Sequence, residues 1–174
     1  MIKLYNFRNL SARSKFALRI AAGTAIIASS VLVVPALATP GSGFSPNPQS
    51  LGSFDDMDVK ADKTGDWDLM LKTKDVTHVG VDKLTVQPGG YSGWHSHTGA
   101  TFITVTSGEV VWYDGERCST TTYKAGEGFV EDANHVHQVV NATGAVATFV
   151  AVQMRPKGAA PRVDAPAPSA CNFT

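Results

Sequence analysis

Four of the five histidines in this 174-residue chain lie in two short clusters whose spacing suits metal binding. One cluster spans 95–97 (His-Ser-His) and the other 135–137 (His-Val-His), while His78 stands alone. Successive side chains on a β-strand point to opposite faces, so His95 and His97 point the same way if this stretch is extended. Imidazole is the commonest metal ligand in proteins, and a third one from a distant strand completes a site for one divalent ion. The histidines therefore predict a metal site before they predict a reaction.

The segments around these histidines carry the patterns of short β-strands. β-Branched and apolar runs recur about every ten residues between Gly, Pro, Asp and Ser turn signals, and no helical periodicity appears after residue 38. This spacing predicts an all-β sandwich or barrel. Every second residue of a strand lies on the same face, so the residues at even spacing after His97, namely Thr101, Ile103 and Val105, are also predicted to face the interior. By the same count from His137, Asn141 is expected to be buried.

The first 38 residues have the features of an export signal. Five basic residues and no acidic residue occur there, and the uncharged run from Ile20 to Ala38 ends in Ala-Leu-Ala. A basic segment, an apolar segment and such an end predict a signal peptide over 1–38, cleaved after Ala38. The alternative is an uncleaved anchor, because the run is close to the shortest that spans a bilayer. Cleavage would leave a periplasmic or secreted protein, of bacterial type, that is not attached to the membrane.

Composition limits the partners of the remaining chain. With 15 basic and 15 acidic residues in the whole sequence, loss of the five N-terminal basic residues leaves a formal net charge of −5. A mildly acidic protein without a basic patch is a poor nucleic-acid binder. Its hydrophobic content of 43% is enough for one domain with a core, and we expect a small-molecule ligand or substrate.

The two cysteines, Cys118 and Cys171, are expected to form a disulfide, because an oxidising compartment follows from export. Two free thiols are the alternative. The bridge would tie back a Pro/Ala-rich tail over 157–174. Upstream, the Pro-, Gly- and Ser-rich stretch 39–51 predicts a flexible linker, which leaves 52–156 for the β-barrel.

Two motifs in this order resemble those of the cupin superfamily, over roughly residues 76–154. The first is carried by Gly89, His95, His97 and Gly108, and the second by Gly126, Asp132, Asn134, His137 and Asn141. The resemblance implies a single-domain double-stranded β-helix, the jelly-roll kind of barrel. It also implies an internal metal held by three histidines and often a glutamate, and a possible homodimer.

The chain departs from the family pattern at two positions. The position of the family's glutamate falls on Thr101, so we expect no carboxylate there, and Asn134 replaces a glycine in a turn whose left-handed conformation Asn also tolerates. The predicted site is therefore His95, His97 and His137, with positions open to water or substrate. Zn, Fe, Mn, Ni or Cu would suit these ligands. His135 and Thr101 are candidates for an extra ligand or for residues that support the ligands from behind.

Two functions remain after these considerations, and neither names catalytic residues. The first is a metal-dependent enzyme acting on a small molecule in the barrel, of dioxygenase, isomerase or lyase type. The alternative is a non-catalytic cupin that binds a small molecule or a metal. A metal-free structural module is the least favoured, because three histidines directed at one cavity would then have no purpose.

Overall fold

A computed structural model of the chain describes residues 38–173, which form twelve β-strands and no α-helix. No helix in this part of the chain is thus long and apolar enough to span a membrane. Apart from Ala38, the predicted signal peptide lies outside the described residues. The strands are β1 Ser42–Phe54, β2 Asp58–Thr64, β3 Trp67–Lys72, β4 Thr77–Tyr91, β5 His95–Ser96, β6 Thr101–Ser107, β7 Glu109–Asp114, β8 Ser119–Lys124, β9 Gly128–Glu131, β10 His137–Val140, β11 Ala147–Pro156 and β12 Val163–Asp164.

Ten strands form one antiparallel sheet that folds into two layers, while β2 and β3 pair only with each other. One layer has the order β1-β4-β11-β6-β9 and the other β8-β7-β10-β5-β12. The layers are joined where Val140 of β10 pairs with Tyr91 of β4. This arrangement confirms the predicted all-β, double-stranded β-helix.

The core lies between the two layers and follows the predicted alternation. Along β6, Thr101, Ile103 and Val105 are buried and the residues between them are exposed. Phe149 of β11 and Val139 of β10 contribute to the same apolar cluster. Burying apolar side chains of this size stabilises the fold by about 1.5–3 kcal/mol each, which holds the two layers together.

The stretch 39–51 is not the flexible linker that its composition predicted, because most of it belongs to strand β1. β1 pairs with β4 over nearly its whole length and makes no other strand pairing. Pro46 and Pro48 are two residues apart, so both place their missing N–H on the side of the strand away from β4. An edge strand tolerates this arrangement, and Phe44 packs its ring against Phe149 at a centroid distance of 6.2 Å.

The C-terminal tail is also part of the sheet. Its strand β12 pairs with β5, with Val163 opposite Ser96 and Asp164 opposite His95. The predicted disulfide between Cys118 and Cys171 is present. The barrel sheet thus extends beyond the predicted limits of 52–156 at both ends.

Candidate metal centre

The two histidine clusters meet because β5 and β10 are neighbouring antiparallel strands. His95 and His137 are directly opposite each other in the ladder. His97 follows the end of β5, and its carbonyl oxygen accepts a 2.7 Å hydrogen bond from the backbone N–H of Asn134. Asn134 has a φ of 62°, which confirms that it can take the left-handed conformation this turn needs.

The three histidines converge inside the barrel as predicted. All three are buried, and one ring nitrogen of each lies within 4.8 Å of the corresponding atoms of the other two. Their ring centroids are 4.5 Å apart for His95 and His137, 5.0 Å for His95 and His97, and 5.2 Å for His97 and His137. These separations suit three imidazoles around one ion.

Hydrogen bonds fix which nitrogen of each ring is available. Nδ1–H of His95 donates to the carbonyl of Gly93 at 2.8 Å, and Nδ1–H of His137 donates to that of His135 at 2.9 Å. Nδ1–H of His97 donates to the carbonyl of Pro161 at 2.7 Å. Metal-binding histidines commonly make such a bond through the nitrogen that does not bind the metal. Nε2 of each ring is therefore left for a ligand role.

A divalent ion fits this set of donors. Nε2 of His137 is fully buried and, among the described residues, has no well-directed hydrogen-bond partner. The nearby Oε1 of Glu131, at 3.0 Å, is not aligned for a hydrogen bond, so a metal ion bound to the lone pair of Nε2 would satisfy a buried atom that is otherwise poorly paired. The three residues that would hold the ion are His95, His97 and His137.

A carboxylate lies beside the histidines, although Thr101 occupies the position where the family carries one. It belongs to Glu131 of β9, whose Oε2 lies 3.0 Å from Nε2 of His97 and whose Oε1 lies 3.0 Å from Nε2 of His137. Glu131 is buried and directly opposite Thr101 in the β6–β9 ladder. The expectation that the site lacks a carboxylate was therefore wrong. The hydroxyl of Thr101 is buried beside it without a hydrogen-bond partner among the described residues.

The charges in the site influence one another. Burial, with the nearby His137, lowers the pKa of His95 to about 2, so this imidazole is neutral at pH 7. Burial alone would lower the pKa of His97, but the adjacent Glu131 carboxylate raises it above its ordinary value. Burial alone would raise the pKa of Glu131, but His137 and His97 hold it well below its usual range. Glu131 is thus a carboxylate at neutral pH.

His135 does not join the group of three. Its Nε2 lies 2.8 Å from Oδ1 of the buried Asp114, and its backbone carbonyl accepts the hydrogen bond from His137. Asp114 also accepts backbone N–H bonds from Glu116 and Arg117 at 2.9 and 2.8 Å. The side chain of His135 is thus held by Asp114, and only its backbone carbonyl contacts His137.

Two cavities, called here the inner cavity and the outer pocket, are each lined by His95 and His97. The inner cavity has about 30 Å³ and is lined by His95, His97, Thr101 and Glu131 together with apolar residues of the core. The outer pocket has about 280 Å³ and shares His95 and His97 with the inner cavity. Its other lining residues are Phe44, Pro46, Pro48, Asp82, Leu84, Gln153, Pro161 and Arg162. A small molecule in the outer pocket would therefore touch two of the three histidines.

A family comparison agrees with this architecture: residues 83–153 match the model of the cupin domain. The chain therefore contains a cupin domain. The matched segment runs from Lys83 in β4 to Gln153 in β11. It therefore includes Glu131 and all three histidines of this cupin. A search of curated proteins finds no match to it.

Solved structures similar to this cupin include one enzyme and proteins that are described only by their fold. The polyketide cyclase RemF from Streptomyces resistomycificus is 21% identical with a TM-score of 0.44, over 49% of this chain and 59% of that protein. A Klebsiella pneumoniae protein with a double-stranded β-helix domain is 23% identical (TM-score 0.44), over 64% of this chain and 84% of its own. A cupin-like protein from Thermotoga maritima is 21% identical (TM-score 0.45), with coverages of 51% and 65%. This chain thus spans less than two thirds of the length of RemF.

Proposed function

We propose that this chain is an exported, metal-dependent cupin that acts on a small molecule at a centre formed by His95, His97 and His137. The observation that carries the proposal is the convergence of three buried imidazoles, each held by a carbonyl at Nδ1, two of which line a pocket. A bound Zn, Fe, Mn, Ni or Cu ion would supply Lewis-acid chemistry, or redox chemistry in the case of Fe or Cu. Three protein ligands leave positions for a substrate.

Glu131 has a defined part in this proposal. Its carboxylate lines the inner cavity and stays ionised beside the imidazoles. Because it lies 3.0 Å from Nε2 of both His97 and His137, Glu131 is proposed to balance the charge of the centre and to accept a hydrogen bond from a substrate O–H group.

The outer pocket limits the class of substrate. Its volume of about 280 Å³ is near the lower end of ligand pockets, which hold roughly 300–1,000 Å³. Its walls are mainly apolar, and its guanidinium, Arg162, is already paired with Asp164 at 2.6 Å. Because Asp82 adds a negative charge, the pocket has no surplus of positive charge for a phosphate. We propose a small, mainly apolar substrate with one oxygen-bearing end directed at the histidines.

A second candidate is a cupin that binds its ligand or metal without turnover. The inner cavity of about 30 Å³ favours it, because this space holds little more than a water molecule beside the histidines. In this case the outer pocket would hold a ligand that is not converted.

Export is proposed from the sequence of residues 1–38, and the Cys118–Cys171 disulfide supports it, because disulfides persist in oxidising compartments. The compartment would be the bacterial periplasm or the exterior. That this protein forms a homodimer stays a prediction.

The experiment that tests the proposed function uses cobalt as a visible probe. Full-length protein is expressed with its own N-terminal segment, loaded with Co(II) and titrated with azide and with benzoate. We expect both to change the visible bands saturably. In a Gln153→Trp variant the larger side chain should narrow the outer pocket. This variant should keep the visible Co(II) absorption bands and their response to the small azide ion, but lose the response to the larger benzoate. Bands that neither probe changes would contradict an open centre.

Turnover separates the enzyme from the binder. The loaded protein is incubated with a bacterial small-molecule extract, with the His95→Ala/His97→Ala variant as control, and the compounds are followed by mass spectrometry. Consumption of a compound by the loaded wild type alone supports an enzyme. Saturable binding without consumption supports the second candidate.

A further inference from the structure

The three histidines differ in how their Nδ1 atoms are held. The carbonyls that accept from His95 and His137 each lie two residues earlier in the chain, at Gly93 and His135. The carbonyl that accepts from His97 belongs to Pro161, which lies 64 residues away in the C-terminal tail. The orientation of His97 thus depends on a remote segment.

The tail follows the histidine strand closely. Besides the β12–β5 pairing, the backbone N–H of Ala165 donates to the carbonyl of Trp94 at 2.9 Å. The hydroxyl of Thr98 donates to the carbonyl of Ala160 at 2.8 Å, and Nη2 of Arg162 donates to that of Ser92 at 2.8 Å. These bonds lie on either side of Pro161 and set the position of its carbonyl beside His97.

The far end of the tail has two anchors. Cys171 is bonded to Cys118, which lies in the turn after β7. The ring of Phe173 packs against Trp94 and Tyr113, with centroid distances of 5.3 and 5.2 Å. Between Pro161 and these anchors the regular structure of the tail is limited to the two-residue strand β12 and a single antiparallel bridge between Pro166 and Ala38. Terminal segments with so little pairing fray unless they are tied down.

We propose that the tail is a positioning element of the metal centre and that the Cys118–Cys171 disulfide sets the metal affinity by keeping Pro161 against His97. This inference rests on the proposed metal site. An external dithiol that reduces the bridge becomes a disulfide itself, and its two electrons and two protons leave thiols at Cys118 and Cys171. Cys118 is exposed, so a reductant can reach the bridge. The tail then loses its anchor, and His97 loses its fixed acceptor.

The test compares metal affinities with and without the bridge. The Kd for Zn(II) is measured by competition with a chromogenic chelator for full-length wild type and for Cys118→Ser/Cys171→Ser. Loss of an outer hydrogen-bond partner commonly weakens metal binding about 10–100-fold, and we expect a loss in this range. A matched control, Val110→Ala, lowers stability through the core without touching the tail and should keep Kd within about twofold.

Two further measurements keep the test decisive if the double-serine variant folds poorly. Thr98→Val removes the bond to Ala160 alone and should weaken Zn(II) binding by a few fold with the disulfide intact. Hydrogen exchange should show faster exchange at Ala165 N–H in wild type treated with a phosphine reductant. Wild type that binds no Zn(II) would contradict the proposed function itself. If wild type, the double-serine variant and Thr98→Val all bind Zn(II) with the same high affinity, the proposed role of the tail is overturned, while the proposed metal site stands.

Discussion

Glu131 and Thr101 face each other directly across the β6–β9 ladder, so the carboxylate of this centre comes from the strand next to the one on which the family carries it. Residues opposite each other in an antiparallel pair have Cβ atoms about 4.5–5.5 Å apart. A glutamate side chain from either strand can therefore reach the same region. The Glu131 carboxylate therefore lies in a region that a glutamate at position 101 could also reach.

This relationship predicts that a glutamate at position 101 can replace the carboxylate of Glu131. Glu131→Thr should weaken Co(II) binding by about 10–100-fold, because the charge beside His97 and His137 is lost. The double variant Thr101→Glu/Glu131→Thr should recover much of that affinity, as measured by chelator competition. A double variant that binds no better than Glu131→Thr would show that the two positions are not equivalent.

Asp114 is predicted to give the protein a pH-dependent stability. Burial would raise its pKa, but the backbone bond from Arg117 and the bond with His135 hold it below its usual value. The folded state therefore binds a proton at Asp114 less readily than the unfolded chain does. The contribution of Asp114 to the free energy of unfolding is complete above the ordinary pKa of about 3.9, and it is lost as the pH falls through the lowered pKa of the folded state.

The variant Asp114→Asn tests this expectation. Hydrogen bonds to charged groups contribute about 1.5–3 kcal/mol, so we expect a loss of about 2 kcal/mol in the free energy of unfolding at pH 7. Urea unfolding of metal-free protein between pH 3 and pH 7 should show the difference from wild type shrinking toward the acid end. A difference that stays constant over this range would mean that the carboxylate charge is unimportant.

Export makes a prediction about the purified protein. N-terminal sequencing of protein taken from the bacterial envelope should begin at Thr39, and thiol labelling without reductant should find no free cysteine. Replacing Ala36 and Ala38 by Asp should block cleavage, because the processing site needs small residues. Unprocessed wild type beginning at Met1 in the membrane fraction would favour the anchor instead.

Much of the site could be predicted because strand parity acts locally. His95, His97, Thr101 and Ile103 point inward by the count of twos, and Asn134 takes a positive φ as its residue type allows. Strand pairing is not local. That Glu131 lies opposite Thr101, or that Pro161 lies against His97, depends on the register of distant segments, which no residue pattern specifies.

Composition was misleading where the environment decides the structure. The stretch that includes Pro46 and Pro48 has the residues of a flexible linker, yet it pairs with β4 as an edge strand whose free side needs no N–H donors. The tail likewise has a Pro/Ala-rich composition. Its position is nevertheless fixed by the Cys118–Cys171 disulfide and by the packing of Phe173 against Trp94.

The most direct test of the account is the metal content of protein purified from its own compartment, measured by elemental analysis. Wild type and a control variant, His78→Ala, should each carry about one divalent ion per chain. His95→Ala/His97→Ala should carry none, because two of the three imidazoles are gone. Full occupancy in that double variant, or a wild type free of metal under the same conditions, would contradict a metal centre at His95, His97 and His137.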